Sequence, residues 1–566
     1  MSNSSLRSPA RSRPEPFSVL WPGILFIGAA ALSVVVYVIL ALSASPHASA
    51  FYVLLQYALV FPALLLCWRR SRSEPIAHLS IPDFRGLVIV VFAVLTAIVG
   101  FSYDHGHTIA DESSYFFQAR VFASGHLKAE PMPGATASVQ TTPPEIYFEH
   151  QVHTVRGWFS KYPPGWPLAL AIGYLLRCPW LVNPILGVLL LLLVNHLAGL
   201  WGRPTQTAAV LVAAVSAYTL LYSIGFMSHA LAAVVGLTAL AAILHAVRTE
   251  RLRGLVLGFA MVVLGTEIRP YTGAVIALLC TACTAYGFRR KPKLLLPAFA
   301  IVCAAGLFSV SLLLLVNRTY TGNFLLSPYA YKRGVAQVQE LTLDPSVIAR
   351  NLRQVWRWSF TDTLRTTFPF VFIAAAYACW KEREFRRESI FLALLFPMLV
   401  IAHIFQSEGS ASFDGERYYY EGYAALCVVA ARGFLLVTSN WRVGNRAAMV
   451  ALTVFAATQT VFIGFVIGDV ESRLTPWRMA YRASMANPIP KLVFLSGEAP
   501  AFTAKHGNWN EANWKSEPTV FLNDPGTARR DEIACRFGDS AFRVVSYDER
   551  IREAVSRDFI AACPAR

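Results

Sequence analysis

The chain has 566 residues, 55% of them apolar (Ala, Val, Ile, Leu, Met, Phe, Trp, Tyr, Cys) and 15% charged, with a mean hydropathy of +0.46. Soluble globular proteins carry about 45–50% apolar and about 25% charged residues, so the composition excludes a cytosolic enzyme, a disordered chain and a disulfide scaffold, and indicates a polytopic membrane protein. Fifty Lys and Arg against 34 Asp and Glu leave a formal charge of +16, which a soluble protein would direct at nucleic acid and a membrane protein uses to set its topology.

A spanning helix needs about 20 mostly apolar residues. Taken in chain order, such stretches lie at 19–42, 51–68, 86–103, 181–201, 205–222, 226–247, 254–266, 271–288, 294–316, 366–380, 389–405, 418–437 and 447–467, which predicts about 13 crossings. The pair at 254–266 and 271–288 is separated by Glu267, Arg269 and Pro270 and reads as two helices meeting at a polar break. The first run is longer than the roughly 7 to 15 residues of a signal-peptide core and reads as an anchor. Basic clusters at Arg69, Arg70 and Arg72, at Arg248, Arg251 and Arg253, at Arg289, Arg290, Lys291 and Lys293, and at Lys381, Arg383, Arg386 and Arg387 all fall on one side. The positive-inside rule makes that side, and the N-terminal segment 1–18, cytoplasmic. The charge therefore encodes topology, and a nucleic-acid partner is not expected.

This orientation divides the chain into 1–18, a membrane domain at 19–468, and a C-terminal tail at 469–566. Long segments at 104–165 and 317–365 and the tail are placed outside the cytoplasm. Apolar runs at 492–495, 520–522 and 542–545, separated by turn-rich stretches, predict a small α/β appendage. Its two cysteines, Cys535 and Cys563, would face an oxidising compartment where a bridge is compatible with the setting.

The segment 108–125 carries the most chemical information. Tyr115, Gln118, Ala119 and Phe122 recur at helical spacing, which predicts an amphipathic helix lying along the membrane interface. Its first turn holds adjacent acids, Asp111 and Glu112. An N-cap and a dipole partner account for such a pair, and so does a general base; one carboxylate can serve both roles. Further on, Arg156, Lys161 and Tyr162 precede Pro163 and Pro164. Aromatic residues favour the interfacial depth, while the two cations suit a membrane-embedded phosphate. Arg269, an ionisable group at membrane depth, is a functional candidate by default. Arg417 and Tyr418 open a span as a basic and aromatic cluster, and Ser228 with His229 open another, as packing groups or as substrate contacts. His105, His107, His150 and His153 lack a recognisable ligand scaffold, so no metal is expected to be required, although a divalent ion stays open.

These residues resemble the GT-C class of integral-membrane glycosyltransferases, in the bacterial branch similar to protein O-mannosyltransferases and lipid A aminoarabinose transferases. The resemblance rests on the acidic pair at 111–112, the Gln-Ala-Arg-x-Phe-x-x-Gly run at 118–125, the Lys-Tyr-Pro-Pro-Gly-Trp-Pro segment at 161–167, and the plan of juxtamembrane helices followed by many spans. The acidic loop follows the third apparent span where the class places it after the first; two extra N-terminal helices account for the offset. The resemblance implies an all-α GT-C-like membrane domain in the inner membrane and a polyprenyl-phosphate sugar donor. It also implies an extracytoplasmic glycan, lipid or protein as acceptor. Asp111 would be the base with Glu112 its neighbour, and Lys161, Tyr162, Arg156, Arg269, Arg417, Tyr418 and His229 would contact substrate. A polytopic lipid or sugar transporter is the alternative with the same composition.

Overall fold

A computed structural model describes residues 85–335, 342–355, 367, 371–406, 417–439, 444–499, 502–538 and 541–563. The anchor expected at 19–42 and the span at 51–68 lie outside these residues. Among the described residues six helices are long and apolar enough to cross a membrane: Pro179–Trp201, His229–Thr249, Pro270–Phe288, Pro292–Thr321, Arg386–Ile404 and Arg417–Thr438; shorter apolar helices run over Arg85–Phe101, Gly165–Leu175 and Val371–Lys381. The chain is a multi-pass membrane protein. Helix Val371–Lys381 lies against helix Arg417–Thr438, an approach that needs Gly433, because a Cβ there would overlap the Ala374 carbonyl.

The run at 205–222, expected as one span, is two helices, Arg203–Ala214 and Ala217–Tyr222. Ser216 between them is extended, and the buried amide of Ala217 donates to Gln459 Oε1 at 3.2 Å. A side chain from the 41-residue helix Gly444–Ser484 thus satisfies the backbone group that the break frees. The polar break at 267–270 is present. Helix α1 (Leu252–Ile268) stops and α2 (Pro270–Phe288) starts on either side of Arg269, whose φ of −145° and ψ of 90° are the extended conformation that a following proline imposes.

The tail folds as a four-stranded sheet of β1 (Leu492–Ser496), β2 (Val520–Asn523), β3 (Ala541–Asp548) and β4 (Glu553–Ile560). In space the order is β2-β1-β3-β4. The strand β1 pairs in parallel with β2 (Leu492 opposite Val520) and with β3 (Leu492 opposite Phe542), and β4 closes antiparallel on β3 (Ala541 opposite Ile560). A continuous apolar run such as Leu492-Val493-Phe494-Leu495 is what a strand covered on both faces requires, and both faces are covered. Val493 and Leu495 join Trp477, Phe502 and Trp509, whereas Leu492 and Phe494 join Phe117, Val121, Phe148 and Trp158 of the first long loop. Loop and tail therefore share one core. Cys535 and Cys563 are bridged.

That sharing alters the expected helix at 108–125. Helix α3 (Ala110–Ala123) does not lie as an amphipathic element on an interface; ten of its 14 residues are buried, because the sheet covers Phe117 and Val121 while the membrane helices cover Tyr115 and Ala119.

Arg543, 3% exposed, fastens the sheet to the long helix that leads into it. Its guanidinium donates to the carbonyls of Ala483, Ser484, Ala486 and Pro488 and to both oxygens of Asp558, satisfying carbonyls that a helix C-terminus leaves without partners. Arg543→Leu is expected to lower stability by about 2–4 kcal/mol through those orphaned carbonyls and to open 484–490 to proteases, a site that mass analysis of limited digests would locate.

Candidate active site

Two short strands, β5 (Gln151–Thr154) and β6 (Gly157–Ser160), form a hairpin whose turn uses Gly157 at φ +130°. At its open end the amide of Lys161 donates to the His150 carbonyl at 3.1 Å, so the hairpin sets His150 and Lys161 side by side. Ser114 of α3 donates to the same carbonyl at 2.8 Å, and Gln118 Oε1 accepts from the Ser160 amide at 2.9 Å. Arg120 reaches the Asn508 carbonyl in the tail at 2.6 Å. The Gln118 to Gly125 run is thus framework: it clamps α3 between hairpin and tail and ends the helix at Gly125, where φ is +81°.

The two adjacent acids diverge. The N-cap of α3 is Ile109, which has no side-chain cap. Glu112 supplies the capping instead: Oε2 accepts from the Thr108 amide and hydroxyl at 2.7 and 2.9 Å, and Oε1 accepts from the Phe226 amide at 2.9 Å. Its carboxylate accepts these three hydrogen bonds and is not among the side chains that line the cavity described below, so the structure gives Glu112 a capping role and does not bring it to Asp111's cavity.

Asp111, one residue earlier, points into a cavity of about 700 Å³. Arg417 Nη1 donates to its Oδ2 at 3.1 Å, and His150 Nε2 lies 3.6 Å from its Oδ1. Among the described residues Oδ1 has no hydrogen-bond partner. Burial pushes the Asp111 carboxyl up, but Arg417 above all, then His150 and Lys161, outweigh that and hold it below the ordinary carboxylate range. Burial lowers His150 to about 4, so the imidazole is neutral near pH 7. Burial likewise pushes the Lys161 ammonium down to about 8; it packs over the rings of Tyr162 and Tyr329, each 5.0 Å away.

The same cavity is lined by Tyr162, Arg269, Arg333, Arg350 and Tyr418, with Asp111 as its one acid among the described residues. Arg269 and Arg417 flank the Tyr418 ring, each guanidinium 5.3 Å from its centre. The cavity thus brings together Asp111, Lys161, Tyr162, Arg269, Arg417 and Tyr418. It leaves out two candidates. Arg156 donates to the Thr321 carbonyl at 3.1 Å, outside the lining, because the hairpin turn carries it toward the end of helix Pro292–Thr321. His229 is fully buried, its Nδ1 3.0 Å from Glu421 Oε1, so neither residue is brought to the cavity lining where a substrate contact was expected. Sequence reasoning passed over Glu421 and the cavity-lining Tyr329, Arg333 and Arg350; the placement of the last three in the long 317–365 segment was the one hint of them. No group of three or more His, Cys, Asp or Glu side chains converges among the described residues.

This helical arrangement is shared with solved structures. The ArnT structure from Cupriavidus metallidurans bound to undecaprenyl phosphate superposes with a TM-score of 0.53 and 13% sequence identity, covering 84% of this chain and 98% of that one. The apo state of the same protein gives the same score and identity over 84% and 99%. At that identity the likeness is one of fold. No protein-family model and no curated protein matches the chain.

Glu112→Gln would set an amide group against backbone N–H donors that need an acceptor, and leaving one of them unsatisfied costs about 1–3 kcal/mol. The expected outcome is a lower melting midpoint in detergent; an unchanged midpoint would show that the carboxylate is not the cap described.

Proposed function

We propose that this protein transfers a sugar, hexose or pentose, from a polyprenyl-phosphate donor to a hydroxyl of an extracytoplasmic acceptor, a glycan, lipid or protein of the envelope. The cavity and tail lie outside the inner membrane in this reading, with the N-terminus in the cytoplasm and about 13 crossings in all. The observation that carries it is the cavity itself: one ionised carboxylate with an unoccupied oxygen, Asp111, surrounded by Lys161, Arg269 and Arg417, in a fold shared with a protein whose structure holds undecaprenyl phosphate.

The acceptor hydroxyl gives its proton to Asp111 Oδ1 as its oxygen attacks the sugar C1. The bond from C1 to the phosphate oxygen breaks, the electron pair leaves with the lipid phosphate, and attack opposite the leaving group inverts the anomeric centre. Charge grows on the phosphate during this step, and fixed cations stabilise it most where little water competes. Lys161 and Arg269 have that task, and Arg417 shares itself between phosphate and base. A carboxylate held below its ordinary range is a weak base at rest, so it takes the proton late, once bonding to C1 has acidified the hydroxyl. The base and the cations of this step all come from the chain, and the step calls on no cofactor; Tyr162 and Tyr418 offer faces for the sugar or the first isoprene unit.

Asp111→Asn is expected to reduce transfer by roughly 10² to 10⁴ fold in proteoliposomes charged with polyprenyl-linked sugars extracted from membranes. Near-normal transfer by a folded variant would sink the assignment. Comparing envelope glycans and lipids by mass spectrometry with and without the gene would identify sugar and acceptor together.

Lys161 gives a pH signature. Its ammonium loses charge as pH rises through about 8, so affinity for undecaprenyl phosphate should fall above that pH, by up to about tenfold per unit. Lys161→Arg, charged throughout, should flatten the fall.

A further inference from the structure

We propose that Glu421 and His229 are positioning residues that hold Arg269 in the orientation required by the leaving phosphate, an inference that rests on the glycosyltransferase reading. Arg269 occupies the break between α1 and α2, where its amide donates to the Gly265 carbonyl at 3.0 Å and its carbonyl accepts from the Gly273 amide at 2.7 Å, so its backbone is held from both helices. Its side chain is 14% exposed and lines the cavity. Three polar groups stand against it, Glu421 as an ion pair and Ser228 and His229 as hydrogen-bond partners. Nε lies 3.2 Å from Glu421 Oε1, and Nη1 lies 3.2 Å from Ser228 Oγ and 3.4 Å from His229 Nε2. Among the described residues Nη2 has no protein partner.

The three groups close a ring. Glu421 Oε1 also faces His229 Nδ1 at 3.0 Å. A carboxylate only accepts, so the network assigns the imidazole proton to Nδ1, which leaves the Nε2 lone pair to accept from Arg269 Nη1. Glu421 and His229 are both fully buried, and neither lines the cavity. They belong to two different spanning helices, Arg417–Thr438 and His229–Thr249, so the guanidinium is referenced to both. An arginine side chain is rich in rotamers; holding Nη1 and the charge in advance removes much of that freedom before phosphate arrives and leaves Nη2 for it. The acid also offsets part of the Arg269 charge, which limits how tightly product phosphate is held.

This arrangement and a plain buried ion pair predict different kinetics. Glu421→Gln removes the charge that fixes and partly neutralises Arg269. We expect kcat to fall about 10 to 100 fold, while affinity for undecaprenyl phosphate stays within about threefold of wild type or tightens; an ion pair serving helix packing alone would lower both together with the melting temperature. In an Arg269→Lys background, where no fork remains to be held, Glu421→Gln should add nothing to the kcat loss. Should Glu421→Gln fail to fold, Glu421→Asp, which keeps the charge and withdraws the oxygen by one methylene, is read the same way. Additive losses in the double variant, or an unchanged kcat, overturn the inference alone. A folded wild-type protein that binds no undecaprenyl phosphate overturns the glycosyltransferase reading and this inference with it.

Discussion

The ion pair of 3.1 Å between Arg417 and Asp111 joins the first long loop to the start of a spanning helix, and the cavity exists between the two elements it joins. Both side chains are largely withdrawn from water, 23% and 13% exposed. Taking two charges out of water is expensive, and removal of one partner from such a pair strands the other at roughly 3–5 kcal/mol. The structure meets that cost with neighbours. His150 and Lys161 stand on the hairpin side of Asp111, and Tyr418 lies beneath the guanidinium. None of these could be placed unless α3 were fixed, and α3 is fixed by Glu112, which ties its first turn to the Phe226 amide.

The same pair sets up a conflict that substrate resolves under the proposed reaction. Cations around Asp111 keep it ionised and make it a poor proton acceptor. A lipid phosphate entering the cavity brings negative charge to those cations and competes for Arg417 and Lys161. A nearby anion raises a carboxyl pKa as surely as a nearby cation lowers it. In the proposed reaction donor binding would thus strengthen the base at the moment the base is needed. Arg269 differs from the other two cations in having Glu421 as its own counterion behind the cavity wall, so its charge is not drawn from Asp111.

Much of this was legible in the sequence, for identifiable reasons. Hydropathy located the six long apolar helices seen among the described residues, because a bilayer demands length and apolarity, and Pro270 marked the break that delivers Arg269. Arg269 stood out as a charge where charges are costly, Asp111 as one of an acidic pair, and Lys161 and Arg417 as cations beside aromatic rings. What could not be read is pairing across distance. Asp111 and Glu112 are neighbours of similar chemistry, and only the 114 residues separating Glu112 from Phe226 in the chain, closed by folding, decide which one caps and which one faces the cavity. Glu421 looked like the polar start of a span; its partner His229 is 192 residues away. Ser216 was hidden for a different reason: a span that breaks for one residue costs hydropathy nothing, and the compensation comes from Gln459, far along the chain.

The tail was legible as strands and illegible as a partner. Alternation and apolar runs identify β1, β2 and β3 locally, but the sheet has two apolar faces, and what covers the second is a matter of tertiary structure. It is covered by Phe117 and Val121, on another side of the helix that carries Asp111. Arg120 on the same helix is held by the Asn508 carbonyl of the tail. A base must sit within hydrogen-bond reach of the proton it takes, and small misplacements of a reacting group cost large factors in rate. The direction of Asp111 is therefore set from two sides, by membrane helices through Glu112 and Arg417 and by the tail through Phe117, Arg120 and Val121, which makes the tail part of the site's geometry although none of its described residues lines the cavity.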